Sequence, residues 1–188
     1  MRPDRNTHSL LLSFGIYSFL VTTLVTTALG KLPAQAEETT DIRRLLETNE
    51  CIGCNLAGVD FRGIDLSGAN LQGANLEGAN FFRANLEGAN LINANLLKVN
   101  FSYANLQAAV LNQANLDQAH LVAANFRNAT LVETSLRKAL LEETDFSGAV
   151  LVETNMQDAI LISANFAEAT LCGAIIWNGL PYYRDCDQ

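Results

Sequence analysis

From residue 54 to residue 173 every fifth position carries a large apolar side chain, beginning at Leu56 and ending at Leu171 without a break. These 24 centres are 17 Leu, six Phe and Met156. Two positions before each centre sits a small residue, Ala in 17 of the 24 units, with Cys54, Val59, Ile64, Val99, Thr134, Thr144 and Thr154 as the exceptions. One position before the centre, 13 residues are Asn and three are Asp. The two positions after it are mixed, so the unit reads Ala-Asn-Leu-x-x. A period of five fits neither a helix nor a flat strand. A chain that buries two residues in five and exposes three has to turn repeatedly, and Asn, Asp and Gly are the residues that tolerate tight turns. The pattern predicts an all-β solenoid in which each short side lays one large and one small side chain into the interior.

The number of sides follows from the aromatic centres. Phe61, Phe81 and Phe101 are spaced by 20, and so are Phe126, Phe146 and Phe166. Twenty residues are four units, which predicts a four-sided coil with two Phe ladders on adjacent sides, each stacked in an offset column. The run from Ala69 through Asn70, Leu71, Gly73, Ala74, Asn75, Leu76, Gly78, Ala79 and Asn80 to Phe81 resembles the pentapeptide-repeat family. The resemblance covers 120 of 188 residues in one register. It implies a right-handed quadrilateral β-helix of about six coils, roughly 4.8 Å apart. Some members of that family resemble nucleic-acid duplexes and protect a topoisomerase, and many others have no assigned activity, so the resemblance does not settle function.

Outside the coil the pattern changes. Residues 1–36 read as a secretory signal: Arg2 and Arg5 precede an uncharged apolar run from Ser9 to Gly30, and Ala34-Gln35-Ala36 is a small-x-small cleavage site. An uncleaved anchor is the alternative, since the run is about long enough to span a bilayer. Residues 37–53 are expected to form an amino-terminal cap. Thr39 to Glu50 reads as a short helix capped by Thr40 or Asp41, with Ile42, Leu45, Leu46 and the stem of Arg43 on one face. A solenoid needs such covers over its open apolar ends. The coil occupies 54–173. Residues 174–188, with Ile175, Ile176, Trp177, Leu180, Pro181, Tyr182 and Tyr183, are expected to form a carboxy-terminal lid, or else a ligand site built on Trp177, Tyr182 and Tyr183.

The chain carries 12 basic and 20 acidic residues; removing residues 1–36 leaves nine and 19, a net charge of −10. That argues against direct binding to nucleic acid. Four cysteines lie in pairs at the two ends of the coil, Cys51 with Cys54 and Cys172 with Cys186, which suits two disulfides in an oxidising compartment such as the periplasm or the thylakoid lumen. No Ser, His and Asp constellation, phosphate loop, metal set or cofactor motif is present, and His120 is the one histidine outside the signal. Neither an enzyme nor a cofactor is expected.

In the later units outward polar positions turn apolar. Val122, Leu140, Ile160 and Ile162 fall on one predicted side, and Val132 and Val152, with Val110 and Val150, on the opposite one. Such walls are candidate partner faces. The leading reading is a non-enzymatic structural or interaction module. It would be exported, without stable membrane insertion once the signal is removed, and would engage an unidentified protein partner or form a homodimer. A thiol–disulfide protein using Cys51 and Cys54, and an acidic mimic of nucleic acid, are the alternatives.

Overall fold

The computed structural model describes residues 34–176, 181–182 and 186. Residues 1–33 of the expected signal 1–36, and Trp177, Leu180 and Tyr183, lie outside the described residues. The coil is built from single-residue parallel bridges, each joining a pre-centre residue to the one twenty positions later. They run unbroken from Glu50↔Asn70 to Asn155↔Ile175. Four such bridges, for instance Asn70↔Asn90, Asn75↔Asn95, Asn80↔Asn100 and Asn85↔Asn105, complete one circuit. The fold is therefore a right-handed four-sided β-helix. We number its sides by their first centres: side 1 from Leu56, side 2 from Phe61, side 3 from Leu66 and side 4 from Leu71.

Each unit satisfies its backbone by a fixed division of labour. The centre donates up the stack (Leu71 N to Asn90 O, 2.7 Å), and the pre-centre residue donates down it (Asn90 N to Ala69 O, 2.8 Å). A tight turn closes the corner (Ala74 N to Leu71 O, 3.0 Å). The third residue of that turn has positive φ, which Gly73 adopts at 64° without a Cβ penalty and Lys98 accepts at 58°. This leaves the N–H of the first residue after the centre, and here the Asn consensus finds its reason. The Oδ1 of Asn90 accepts from the N–H of Ile92 at 3.2 Å, while its Nδ2 donates to Oδ1 of Asn70 one coil away at 3.2 Å. One side chain thus closes a turn and joins two coils.

The interior holds the centres and the small residues. Nearly all centres from Leu56 to Met156 are fully buried, and the Ala column between them lets the walls approach. Phe61–Phe81–Phe101 stack with ring centroids 5.0 and 5.1 Å apart, and Phe126–Phe146–Phe166 at 5.1 and 5.3 Å, as the twenty-residue spacing predicts. Thr134, Thr144 and Thr154 replace inward Ala and remain buried because each hydroxyl donates to a carbonyl of the coil below: Leu111, Leu121 and Leu131, at 2.7, 2.8 and 2.7 Å.

At the amino-terminal end, α1 runs Ala34–Thr48 rather than starting at Thr39. The added stretch is Ala- and Glu-rich, composed of strong helix formers. Thr40 and Asp41 consequently lie inside the helix. Asp41 instead ties it to the first coil, accepting the N–H of Asn55 at 2.9 Å and pairing with Arg44 at 3.3 Å. Only part of the expected apolar face is covered: Leu45 is buried and Ile42 packs on the core, while Leu46 is 54% exposed and Arg43 is exposed. At the other end, β1 (Ala174–Ile175) pairs antiparallel with β2 (Pro181–Tyr182). Leu161, Phe166 and Leu171 are only partly buried there and line an apolar cavity of about 300 Å³ with Ile176 and Tyr182.

Candidate interaction face

Side 2 carries three of the large apolar residues exposed on the described structure, Tyr103, Ile160 and Ile162. Its rungs are residues 60–63, 80–83, 100–103, 120–123, 140–143 and 160–163. In the first three, Asp60, Asn80 and Asn100 accept the N–H of Arg62, Phe82 and Ser102 at 3.3, 3.2 and 3.0 Å. The next three pre-centre residues are His120, Leu140 and Ile160. Leu140 and Ile160 bring no acceptor, and among the described residues the N–H groups of Val122, Glu142 and Ile162 have no hydrogen-bond partner. Ile160 is 51% and Ile162 52% exposed, with Val122 and Leu140 half-buried beside them.

Side 3 shows that the fold does not force this change. There the acceptor is kept in all six rungs, with Asp65, Asn85, Asn105, Asn125, Asp145 and Asn165 each taking the N–H two residues on, at 2.9 to 3.3 Å. The later coils of side 2 have exchanged a self-satisfied polar ladder for exposed aliphatic groups and open donors.

The first half of side 2 carries a feature that the sequence pattern did not single out. The guanidinium of Arg83 lies 5.1 Å from the ring centre of Phe82 and 5.9 Å from that of Tyr103, and the two rings meet edge to face at 5.6 Å. Tyr103 is 55% exposed. Beside this cluster is an open groove of about 470 Å³ lined by Asp60, Arg62, Gly63, Phe82 and Arg83. Arg62 pairs with Asp60 at 2.7 Å, and its hydrogen bond holds the Asp60 carboxyl below the ordinary carboxylate range. The signal available in the sequence was the spacing of Phe82, Val122 and Ile162, multiples of twenty that place them in one column. Arg83 and Tyr103, also twenty apart, share the neighbouring column, but the spacing does not show that an arginine and two rings stack there.

On side 4, Val132 and Val152 are half-buried, as are Val110 and Val150. The N–H of Val132 reaches Oδ1 of Asn112 in the coil below at 3.1 Å, whereas those of Asn112, Val152 and Cys172 have no hydrogen-bond partner among the described residues, so open donors occur on this side too and what sets side 2 apart is the greater exposure of its apolar groups. Glu133 of the same side accepts from Gln113 at 2.8 Å.

The cysteines form two disulfides, Cys51–Cys54 with Cα atoms 5.3 Å apart and Cys172–Cys186 with Cα atoms 4.9 Å apart. Cys51 is 0% and Cys54 2% exposed, under the Arg44 guanidinium, which donates to the sulfur of Cys54. Asp41 completes a close trio with these two cysteines, but their sulfurs are bonded to each other and so are not offered as thiolate ligands. An external thiol has no open approach to this bond. Cys186 is exposed, so the second disulfide is the accessible one.

Comparison with known proteins agrees with this architecture. The sequence model of pentapeptide repeats matches in eight copies, over residues 50–81, 79–118, 104–142 and 139–178. No curated protein matches significantly. Among solved structures, HetL, a pentapeptide repeat protein involved in heterocyst differentiation regulation in the cyanobacterium Nostoc, is 26% identical over 71% of this chain and 81% of its own, with a TM-score of 0.37. A pentapeptide repeat protein from the Arabidopsis thaliana thylakoid lumen is 28% identical over 58% of this chain and 70% of its own, with a TM-score of 0.44. Rfr23 of the cyanobacterium Cyanothece is 21% identical over 74% of this chain and 99% of its own, with a TM-score of 0.38. No helix among the described residues is long and apolar enough to cross a membrane.

Proposed function

The chain belongs to the pentapeptide-repeat family, and on that footing we propose that it is a non-catalytic protein-interaction module that presents side 2 to a protein partner in an exported, oxidising compartment. One observation carries the reading. Side 2 gives up the Asn ladder that side 3 keeps through all six rungs, and it exposes Ile160 and Ile162 together with unpartnered N–H groups. Such an exchange weakens the isolated rod, since outward aliphatic groups gain little and an acceptor is lost. It becomes favourable when a second surface covers the wall. Export is supported by the charged start, apolar run and Ala34-Gln35-Ala36 site, and by the two disulfides.

The test is affinity capture of the tagged full chain from the exported fraction, wild type beside V122E/I162E, with circular dichroism showing both folded. A protein recovered with the wild type and lost from the double variant is the expected result. An identical set of recovered proteins from both would overturn the assignment of side 2. Recovery of the chain in the cytosolic fraction with its first 36 residues intact would overturn the compartment.

A further inference from the structure

Side 2 is polarised along the stack. Its early rungs carry Arg62 and Arg83, and its fifth rung carries Glu142 and Glu143. Between and beyond them lie Phe82, Tyr103, Val122, Leu140, Ile160 and Ile162, which include three of the five large apolar residues exposed on the described structure. Arg62 is neutralised by Asp60, whereas Arg83 is held only by the two aromatic rings, with no carboxylate within salt-bridge distance among the described residues. Glu142 and Glu143 likewise make no ion pair there. A face that is basic at one end, acidic toward the other and apolar between is complementary to its own image turned end for end.

We infer that side 2 pairs with side 2 of a second copy of this chain, the two rods antiparallel about a two-fold axis that runs along the strands between the third and fourth rungs. This rests on the assignment of side 2 as the interaction face. A two-fold along the strand direction keeps each column opposite itself and reverses the order of the rungs. Arg83 of the second rung then faces Glu143 of the fifth rung in the other copy, and the contact occurs twice. The third rung faces the fourth, which brings Val122 beside the axis, close to its own mate. The same pairing places Ser102 across from Val122, whose N–H lacks an acceptor. In a parallel arrangement the rungs keep their order and the columns reverse, so Arg83 lies level with the other copy's Arg83 and across from its Asn80, and no contact between Arg83 and Glu143 forms; the charge pattern therefore selects the antiparallel one. Six rungs about 4.8 Å apart and four residues of about 3.3 Å give a footprint of roughly 380 Å² per copy. The total, roughly 760 Å², is below the value of about 1,000 Å² that a stable interface buries, so the dimer is weak, reversible and salt-sensitive.

All four cysteines are in disulfides, so a cysteine introduced at the axis is the one free thiol. The full chain carrying V122C is treated with a short bismaleimide, and dimer is read on a non-reducing gel. A matching Q107C chain on side 3 serves as the control. The expected result is covalent dimer from V122C and none from Q107C. Adding R83E to V122C lowers the yield by roughly tenfold or more, and adding E143R alone does the same, because each places like charges together twice. Mixing the R83E and E143R chains restores both contacts and with them the dimer. Circular dichroism of each variant shows that it is folded. No covalent dimer from V122C, or equal yields from the R83E chain alone and from the mixture, overturns the inference. If that happens while V122E/I162E still loses a captured protein, side 2 serves a different partner and the interaction reading stands.

Discussion

Replacing Thr144 separates what a buried hydroxyl contributes here from what its shape contributes. Its Oγ1 donates to the carbonyl of Leu121 at 2.8 Å, in a position that is fully buried. The same carbonyl also accepts the turn N–H of Ala124 at 3.0 Å, so it keeps one partner when the hydroxyl is removed. T144A returns the position to the residue used in most other units and forfeits one hydrogen bond and one buried methyl, a loss of about 2 kcal/mol at most. T144V keeps the volume but sets a methyl carbon where an oxygen sat. A carbon needs about 3.3 Å or more from a carbonyl oxygen, so the methyl must move by roughly half an ångström in a close-packed wall. Overpacking of that kind costs about 1–3 kcal/mol, which adds to the lost bond for a total of about 2–4 kcal/mol. The predicted order of stability is therefore wild type, then T144A, then T144V, although valine is the closer match in size. Guanidinium unfolding followed by circular dichroism measures it, provided the slope of the transition is unchanged so that midpoints can be compared. T144V as stable as wild type, or more stable than T144A, would refute the account of these threonines as hydrogen-bonded ties between coils.

Other consequences can be checked with the same protein. Truncating a mid-stack centre, as in L116A, removes a fully buried side chain and should cost about 2–5 kcal/mol, whereas R137A on the surface should fall within about 0.5 kcal/mol of wild type in the same unfolding assay. Acid should weaken the rod through Asp60, Asp65 and Asp145. Asp60 is lowered chiefly by Arg62 and Asp65 by the Ser67 N–H; burial raises Asp145, but the Ser147 N–H and Arg127 outweigh it. Because each folded pKa is depressed, the contribution is complete above the unfolded value near 3.9 and is lost as pH falls through the folded one. Unfolding midpoints between pH 7 and pH 2 should fall with acid, and D65N/D145N should flatten the drop. Under mild reductant with a thiol-labelling reagent, mass spectrometry should find Cys172 and Cys186 modified before the buried Cys51 and Cys54; the reverse order would show that α1 opens readily.

The five-residue repeat makes the architecture legible from the amino-acid order alone. A strict alternation of large and small apolar residues at that period has only one way to bury both, and the twenty-residue spacing of phenylalanines states how many sides close a coil. Local chemistry is legible for the same reason: the acceptor needed by each turn sits two residues from its donor, so Asn at a fixed offset announces it. The ends and the surface are different. Whether Asp41 caps α1 or ties it to Asn55 is decided by a partner fourteen residues away, and only the packed structure shows Leu45 buried while Leu46 faces solvent. Arg83 and Tyr103 are twenty apart and share a column, but the edge-to-face contact of Phe82 with Tyr103 joins neighbouring columns of different rungs, a diagonal that the repeat period does not mark. The meaning of the apolar residues on side 2 also needs three dimensions. Counted along the chain they resemble the valines of side 4. Only the closed coil shows that the valines of side 4 are half-buried while Ile160 and Ile162 of side 2 are more than half exposed, on a face that also carries an arginine and a pair of glutamates. Periodicity determines which way a side chain points; what it meets there depends on chain segments that the period brings together from far apart.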